Sequence, residues 1–462
     1  MNTEVAKTVA SLRDTFDSGQ TRPAEWRKAQ LRRLKQLLTD GEDEIGKAMR
    51  DDLGKAPAEG WVTEVRLVQR ELTHMIGHLD AWMRPHHVHV PVVLQPARAK
   101  ILPEPLGVAL VMAPWNYPIQ LLLLPMASAI AAGNTVAGKP SELAPATSAV
   151  VARLIPSYLD PDAVAIIEGG VEEATALLEE RFDHIFYTGG SRVGHVVMAA
   201  AAKHLTPVTL ELGGKSPAIV DHDLNLDVAV RRLAYGKFIN AGQTCVAPDY
   251  VLVHADVERP LLDRLSGMLE EFYGKDPKAS PDYGRIVNDQ HFQRLKGLLD
   301  GGGYAETVTG GVASADATQR YLPPTIVRGV SPDAPVMQEE IFGPILPVIA
   351  VPSIDSAISF VNQRPKPLSL YVFTSRGHVA EEVLARTSSG SACVNTCIVQ
   401  LAVPDLPFGG VGGSGMGAYH GRRGFETFSH SKAVMVKPTL PEPPLQYPPY
   451  TKTRQRLLRK IY

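Results

Sequence analysis

The stretch Val108-Ala109-Leu110-Val111-Met112-Ala113-Pro114-Trp115-Asn116-Tyr117-Pro118 decides the fold. Five apolar residues end in a proline-bounded turn, as in a strand buried on both faces. An apolar run at 119–132 follows and stops at Gly133, which reads as a buried helix. It contains Gln120, Pro125 and Ser128 and is shorter than the roughly 20 residues a membrane span needs. The alternation then repeats. Strands are expected at 135–140, 164–167, 184–188 and 208–211, with a helix at 193–204. This βαβα order implies an open parallel sheet with helices on both faces, an α/β fold of Rossmann type.

Working outward, residues 1–83 are rich in helix formers. Helical spacing appears at 26–38 and 42–53, Gly54 serves as a stop, and 61–83 reads as one long amphipathic helix. Residues 84–104 are β-branched, alternating and broken by prolines, like edge strands of a hairpin. Exposed edges need a partner, so a dimer contact is expected there. A second alternating region spans 214–412, with strands at 218–220, 250–253, 370–374 and 391–395. Residues 335–344 read as a loop with two adjacent acids, and 407–417 as a glycine-rich loop. The strand at 431–436 could complete the early hairpin.

Composition narrows the function. The 462 residues suggest two or three domains, and 44% hydrophobic with 21% charged residues is globular. A formal net charge of -2 argues against nucleic-acid binding. Three cysteines make a disulfide framework unlikely and fit a reducing, cytoplasmic setting. Cys393 and Cys397 lack zinc spacing and read as structural, so no metal site is expected. The N-terminus has no signal-peptide core, and the basic tail at 452–460 reads as a solvated end.

Three stretches carry chemistry. Phe238-Ile239-Asn240-Ala241-Gly242-Gln243-Thr244-Cys245 presents a cysteine after a small, polar approach, where a thiolate could be reached. Leu210-Glu211-Leu212-Gly213-Gly214 offers a carboxylate beside two glycines, and Pro114-Trp115-Asn116 offers an amide donor. Nucleophile, base and oxyanion donor are the minimum for acyl chemistry. Gly189-Gly190-Ser191-Arg192-Val193-Gly194 lies between strand and helix, where a pyrophosphate would meet backbone N–H groups. Its spacing is not G-x-G-x-x-G.

In chain order, Pro114-Trp115-Asn116, Leu210-Glu211-Leu212-Gly213-Gly214-Lys215-Ser216-Pro217, Gly242-Gln243-Thr244-Cys245, Glu339-Glu340-Ile341-Phe342-Gly343-Pro344 and Pro407-Phe408-Gly409-Gly410 resemble the NAD(P)-dependent aldehyde dehydrogenase superfamily. The short N-terminus, Phe186-Tyr187-Thr188-Gly189, Thr206-Pro207-Val208-Thr209-Leu210-Glu211, residues 414–421 and residues 425–430 look like its class 3 branch, which acts on aromatic and medium-to-long aliphatic aldehydes. Some class 3 members carry a C-terminal membrane anchor, and none is expected here.

The resemblance implies roles. Cys245 would attack the aldehyde, Asn116 and the Cys245 N–H would hold the oxyanion, and Glu211 would activate water. Lys139 and Glu142 match adenosine-ribose contacts, and Gly189, Gly190 and Gly194 match the pyrophosphate loop. Glu340 matches a nicotinamide-ribose contact, with Phe342 near the ring. Tyr117 would line the aldehyde tunnel. Gly190 stands where the superfamily often has Ser. Glu142 would repel a 2′-phosphate and so favours NAD, with NADP possible. The implied organisation is an NAD(P)-binding domain (1–83 and 105–211), a second α/β catalytic domain (212–412), an oligomerisation β element (84–104 and 425–440) and a tail (441–462), assembled as a homodimer. The alternatives are a CoA-acylating dehydrogenase, a non-catalytic structural paralogue and a cysteine hydrolase.

Overall fold

The computed structural model describes residues 3–442 and 444–461. Two parallel-type sheets and one small antiparallel sheet organise it. In the first sheet, Val108–Met112 lies between Thr135–Lys139 and His184–Thr188. Val164–Ile166 pairs outside Thr135–Lys139, and Val208–Glu211 pairs outside His184–Thr188. The chain therefore winds to one side of Val108–Met112 and then to the other. The direction reverses between Val108–Met112 and His184–Thr188, the switch point where such sheets open a crevice beyond their strand ends. Val108–Met112 is buried along its whole length, and so is the helix Gln120–Ala132, as their unbroken apolar runs require.

A sixth strand, Gly415–Met416, runs antiparallel to Leu210 and Glu211. The glycine-rich segment thus returns to the first sheet. Phe408, Tyr419, Phe425 and Phe428 pack into the same core as Val111 and Phe186.

The second sheet orders seven strands as Glu306–Thr309, Thr325–Arg328, Ile345–Val351, Tyr250–His254, Pro217–Val220, Ser369–Phe373 and Ser391–Val394. All neighbours are parallel except the first pair. The third sheet joins His86–Val88 to Arg98–Pro105, and Ser429–Val436 pairs along the other side of Arg98–Pro105.

Three readings change. The segment at 61–83 is not one helix: Pro57–Gly60 leads into a wide π-turn, Trp61–Val65, before the helix Arg66–Trp82. Residues 335–344 begin with a short helix, Pro335–Gln338, rather than a plain loop. The tail folds into an exposed helix, Lys452–Ile461. Among the described residues, no helix is long and apolar enough to cross a membrane.

Candidate active site

The strand ends of the first sheet open into a cavity of about 740 Å³. Asn116, at the end of the turn after Val108–Met112, lines it. So do Gly189 and Gly190 after His184–Thr188, and Glu211 at the end of its strand. Cys245, Glu340 and Phe342 come from the second half of the chain and close the opposite wall. Residues more than a hundred positions apart thus meet at the switch point.

Cys245 is delivered by an unusual backbone. After the helix Leu226–Phe238, three successive residues are left-handed: Asn240 (φ 52), Ala241 (φ 51) and Gly242 (φ 72). Only glycine adopts this region freely; at Asn240 and Ala241 it costs roughly 1 kcal/mol or more each. Gly242 is also required sterically, because a Cβ there would fall on the Gly343 carbonyl. The side chain of Gln243 buckles the turn. Its Nε2 donates to the carbonyls of Asn240 (3.0 Å) and Arg285 (2.9 Å), and its Oε1 accepts from the Val287 N–H (2.9 Å). Asn116 Nδ2 donates to the Gln243 carbonyl at 3.0 Å, which ties the amide donor to the thiol turn.

The electrostatics follow from burial. Cys245 is half-buried, and its thiol is pushed up to about 12 by burial and by the Glu340 and Glu211 carboxyls. Its own N–H and that of Val246 face the sulfur and oppose this shift. Glu211 is 3% exposed, and neither carboxyl oxygen has a hydrogen-bond partner among the described residues. Burial raises its pKa well above the ordinary carboxylate range. Glu340 is pushed up to about 8, chiefly by burial and by Asp249, against the Gly214 N–H and Lys215. Its carboxyl packs against Gly213, where a Cβ would collide with it.

Both adjacent acids line the cavity, but their settings differ: Glu339 stays half exposed beside Arg294, while the Glu340 carboxyl packs against Gly213. Lys215 fixes this segment, donating to Asp249 (2.5 Å) and to the carbonyls of Val336 (2.7 Å) and Glu339 (2.9 Å). Phe342 (φ 47) meets Trp115 edge-on at 5.4 Å.

The phosphate-loop residues fit a pyrophosphate. The helix Ser191–Ala202 starts at Gly190 without a side-chain cap, so its first N–H groups face the cavity. Thr188 Oγ1 is buried there and has no partner among the described residues. A Cβ at Gly190 would meet nothing within 4 Å, whereas one at Gly189 would strike the Tyr187 ring. Gly190 is therefore open space rather than a steric requirement. Gly194 lies one turn behind the cavity, packed on Leu212.

Besides Gly194, three expected site residues stand elsewhere. Lys139 and Glu142 do not line the cavity; they pair at 3.0 Å beyond the end of Thr135–Lys139, and Lys139 Nζ also donates to the Gly169 carbonyl at 2.7 Å. Tyr117 does not line the cavity either. It is buried behind the wall, with its hydroxyl 2.8 Å from Thr244 Oγ1 and its ring 4.2 Å from Lys55 Nζ. Lys55, Asn240, Gln243 and Lys215 were not given roles from sequence, because each is tied to the site by at least one partner far away along the chain.

A doubly wound sheet whose switch point opens on a cavity lined by a helix N-terminus, a cysteine and a buried carboxylate is the architecture of a dinucleotide-dependent enzyme. Comparison with known proteins gives the family. The family model described as "Aldehyde dehydrogenase family" matches residues 1–434. The rat protein named "Aldehyde dehydrogenase, dimeric NADP-preferring" is 49% identical, over 96% of this chain and 98% of its own length. "Aldehyde dehydrogenase family 3 member H1" of Arabidopsis thaliana is 46% identical, over 99% of this chain and 95% of its own. Among solved structures, "Substrate bound state of Staphylococcus Aureus AldH" superposes with a TM-score of 0.95 at 43% identity, over 99% of both chains. The chain belongs to the aldehyde dehydrogenase family, and it is an NAD(P)-dependent enzyme that oxidises aldehydes.

Proposed function

We propose that Cys245 carries the acyl group of an aldehyde through a two-step oxidation to the carboxylic acid. The carrying observation is the convergence of Cys245, Asn116 and Glu211 on one cavity, with both Glu211 oxygens unpartnered among the described residues. Cys245, as its thiolate, adds to the aldehyde carbon. The Cys245 N–H and Asn116 Nδ2 stabilise the oxyanion of the thiohemiacetal, about 3–4 kcal/mol per donor. When bound, NAD(P) supplies the hydride acceptor. Glu211, a buried carboxylate without a cation to satisfy it, then takes a proton from water as the water attacks the thioester. The acid leaves, the Cys245 thiolate is restored, and Glu211 passes its proton to solvent.

In this reading the first sheet holds the cofactor. Gly189, Gly190 and the N-terminus of Ser191–Ala202 would bind the pyrophosphate, Glu340 the nicotinamide ribose, and Lys139 with Glu142 the adenosine ribose. The Lys139–Glu142 pair offsets the charge of Glu142 and so weakens its repulsion of a 2′-phosphate. NAD is the expected cofactor and NADP an accepted one, in line with the rat relative's "NADP-preferring" name. That name's "dimeric" supports a homodimer, as does the unpaired outer edge of Ser429–Val436, where Met435 and Val436 are exposed. The three free cysteines suit a cytoplasmic setting. The substrates we infer are aromatic or medium-to-long aliphatic aldehydes.

A panel of such aldehydes, assayed with NAD or NADP and with or without CoA, tests this. Acid formation without CoA is expected. Turnover that strictly needs CoA would replace this reading with the CoA-acylating one.

A further inference from the structure

We propose that Lys55, paired with Glu64, is a positioning residue: it fixes the Asn116 carbonyl and thereby aims the Asn116 amide into the cavity. This rests on Asn116 being an oxyanion donor. The ion pair between Lys55 Nζ and Glu64 Oε1 is 0% exposed on both sides. Such a pair is costly to bury, and an apolar pair of similar volume is often no less stable. Its cost calls for a role beyond packing.

The contacts supply one. The ammonium also donates to the Asn116 carbonyl at 3.0 Å and rests on the Tyr117 ring. Its three hydrogens are thereby committed to Glu64, to Asn116 and to the neighbouring aromatic face. Glu64 in turn holds the ammonium from the π-turn Trp61–Val65, and its second oxygen accepts the Ile119 N–H at 2.9 Å. Both ends of the segment 116–119 are therefore gripped by one buried pair. The Asn116 carbonyl accepts a second bond from Asn240 Nδ2 at 2.9 Å, and Asn240 Nδ2 also reaches the Gln243 carbonyl at 3.1 Å. Asn116 Nδ2 gives one hydrogen to that same Gln243 carbonyl, which leaves its other hydrogen for the cavity that Asn116 lines. The Lys55–Glu64 pair sits outside the lining of that cavity, so it acts through Asn116 and touches no substrate.

The test is steady-state kinetics and thermal unfolding of Lys55→Met/Glu64→Met, Asn116→Ala and the triple variant. The paired replacement removes both ions together but orphans the Ile119 N–H and takes the Lys55 charge from the buried Glu59 carboxyl, so it is expected to fold with a lowered midpoint. Its kcat should fall about 100-fold, the scale of one lost oxyanion donor, with the KM for NAD unchanged. The triple variant should lose no more than Asn116→Ala alone, because both changes remove the same contact. Native kcat in the paired variant, or losses that multiply in the triple variant, would overturn the inference. Asn116→Ala separates the two ideas: native kcat there sinks the donor reading itself, while a large loss there with native kcat in the paired variant sinks the positioning alone. If the paired variant does not fold, Lys55→Met/Glu64→Gln, which keeps an amide oxygen to accept the Ile119 N–H, decides in the same way in the same cycle.

Discussion

The two walls of the cavity are built differently. Along its phosphate loop the wall from the first sheet uses a strand end and a helix N-terminus, so the polar groups there are backbone N–H groups that any α/β crevice supplies. The wall that carries Cys245 uses three left-handed residues and a buckling Gln243, whose carbonyl is tied to Asn116 of the facing wall. A backbone-built wall should tolerate side-chain change. A side-chain-built wall in strained backbone should not.

The largest expected effect falls on the thiol wall. Cys245→Ala should lower kcat by about 10,000-fold or more while cofactor binding, followed by fluorescence quenching, persists. Substantial remaining turnover would mean that the nucleophile lies elsewhere. Next, a glycine substitution can be compared across the walls. Gly242→Ala puts a Cβ onto the Gly343 carbonyl at φ 72 and should cost about 3 kcal/mol, seen as a lower unfolding midpoint by calorimetry. An unchanged midpoint would show that the turn is not under the constraint described.

A smaller effect is expected in the charge around the thiol. Glu340 holds the Cys245 pKa up and is itself charged mainly above about 8. Glu340→Gln removes that negative charge, so the thiol should ionise more readily. Alkylation by iodoacetamide should therefore quicken severalfold above that pH and match the parent well below it. Equal rates throughout would remove Glu340 from the thiol's surroundings. The smallest effect should be Gly190→Ser, where a Cβ meets nothing. Native stability and an NAD Kd tightened by no more than about tenfold are expected, since a hydrogen bond gained over water is worth ~0.5–1.5 kcal/mol. A large loss of stability would contradict the contrast between the walls.

The same contrast explains what the sequence disclosed. The strands of the first sheet are short apolar runs between turn signals, and they are legible locally. Ile345–Val351 was not, because Pro347 argues against a strand. In the structure, pairing with Tyr250–His254 begins at Val348, so Pro347 faces a strand on one side only. Gly415–Met416 was missed because two residues carry no periodicity. Cys245, Glu211 and Asn116 were found through ordered motifs, and all three line the cavity. Lys55 and Glu64 read as ordinary charges of a helical region. Their burial depends on packing against 116–119, and local sequence does not encode such a contact.

The central claim is that one acyl group resides on Cys245 until Glu211 releases it. Mixing Glu211→Gln rapidly with NAD and a good aldehyde substrate, with mass spectrometry of the quenched protein, tests it most directly. The account predicts a burst of one reduced cofactor per active site, then a stall, with an acyl adduct on the peptide that holds Cys245. No burst, or an adduct on another residue, would contradict it.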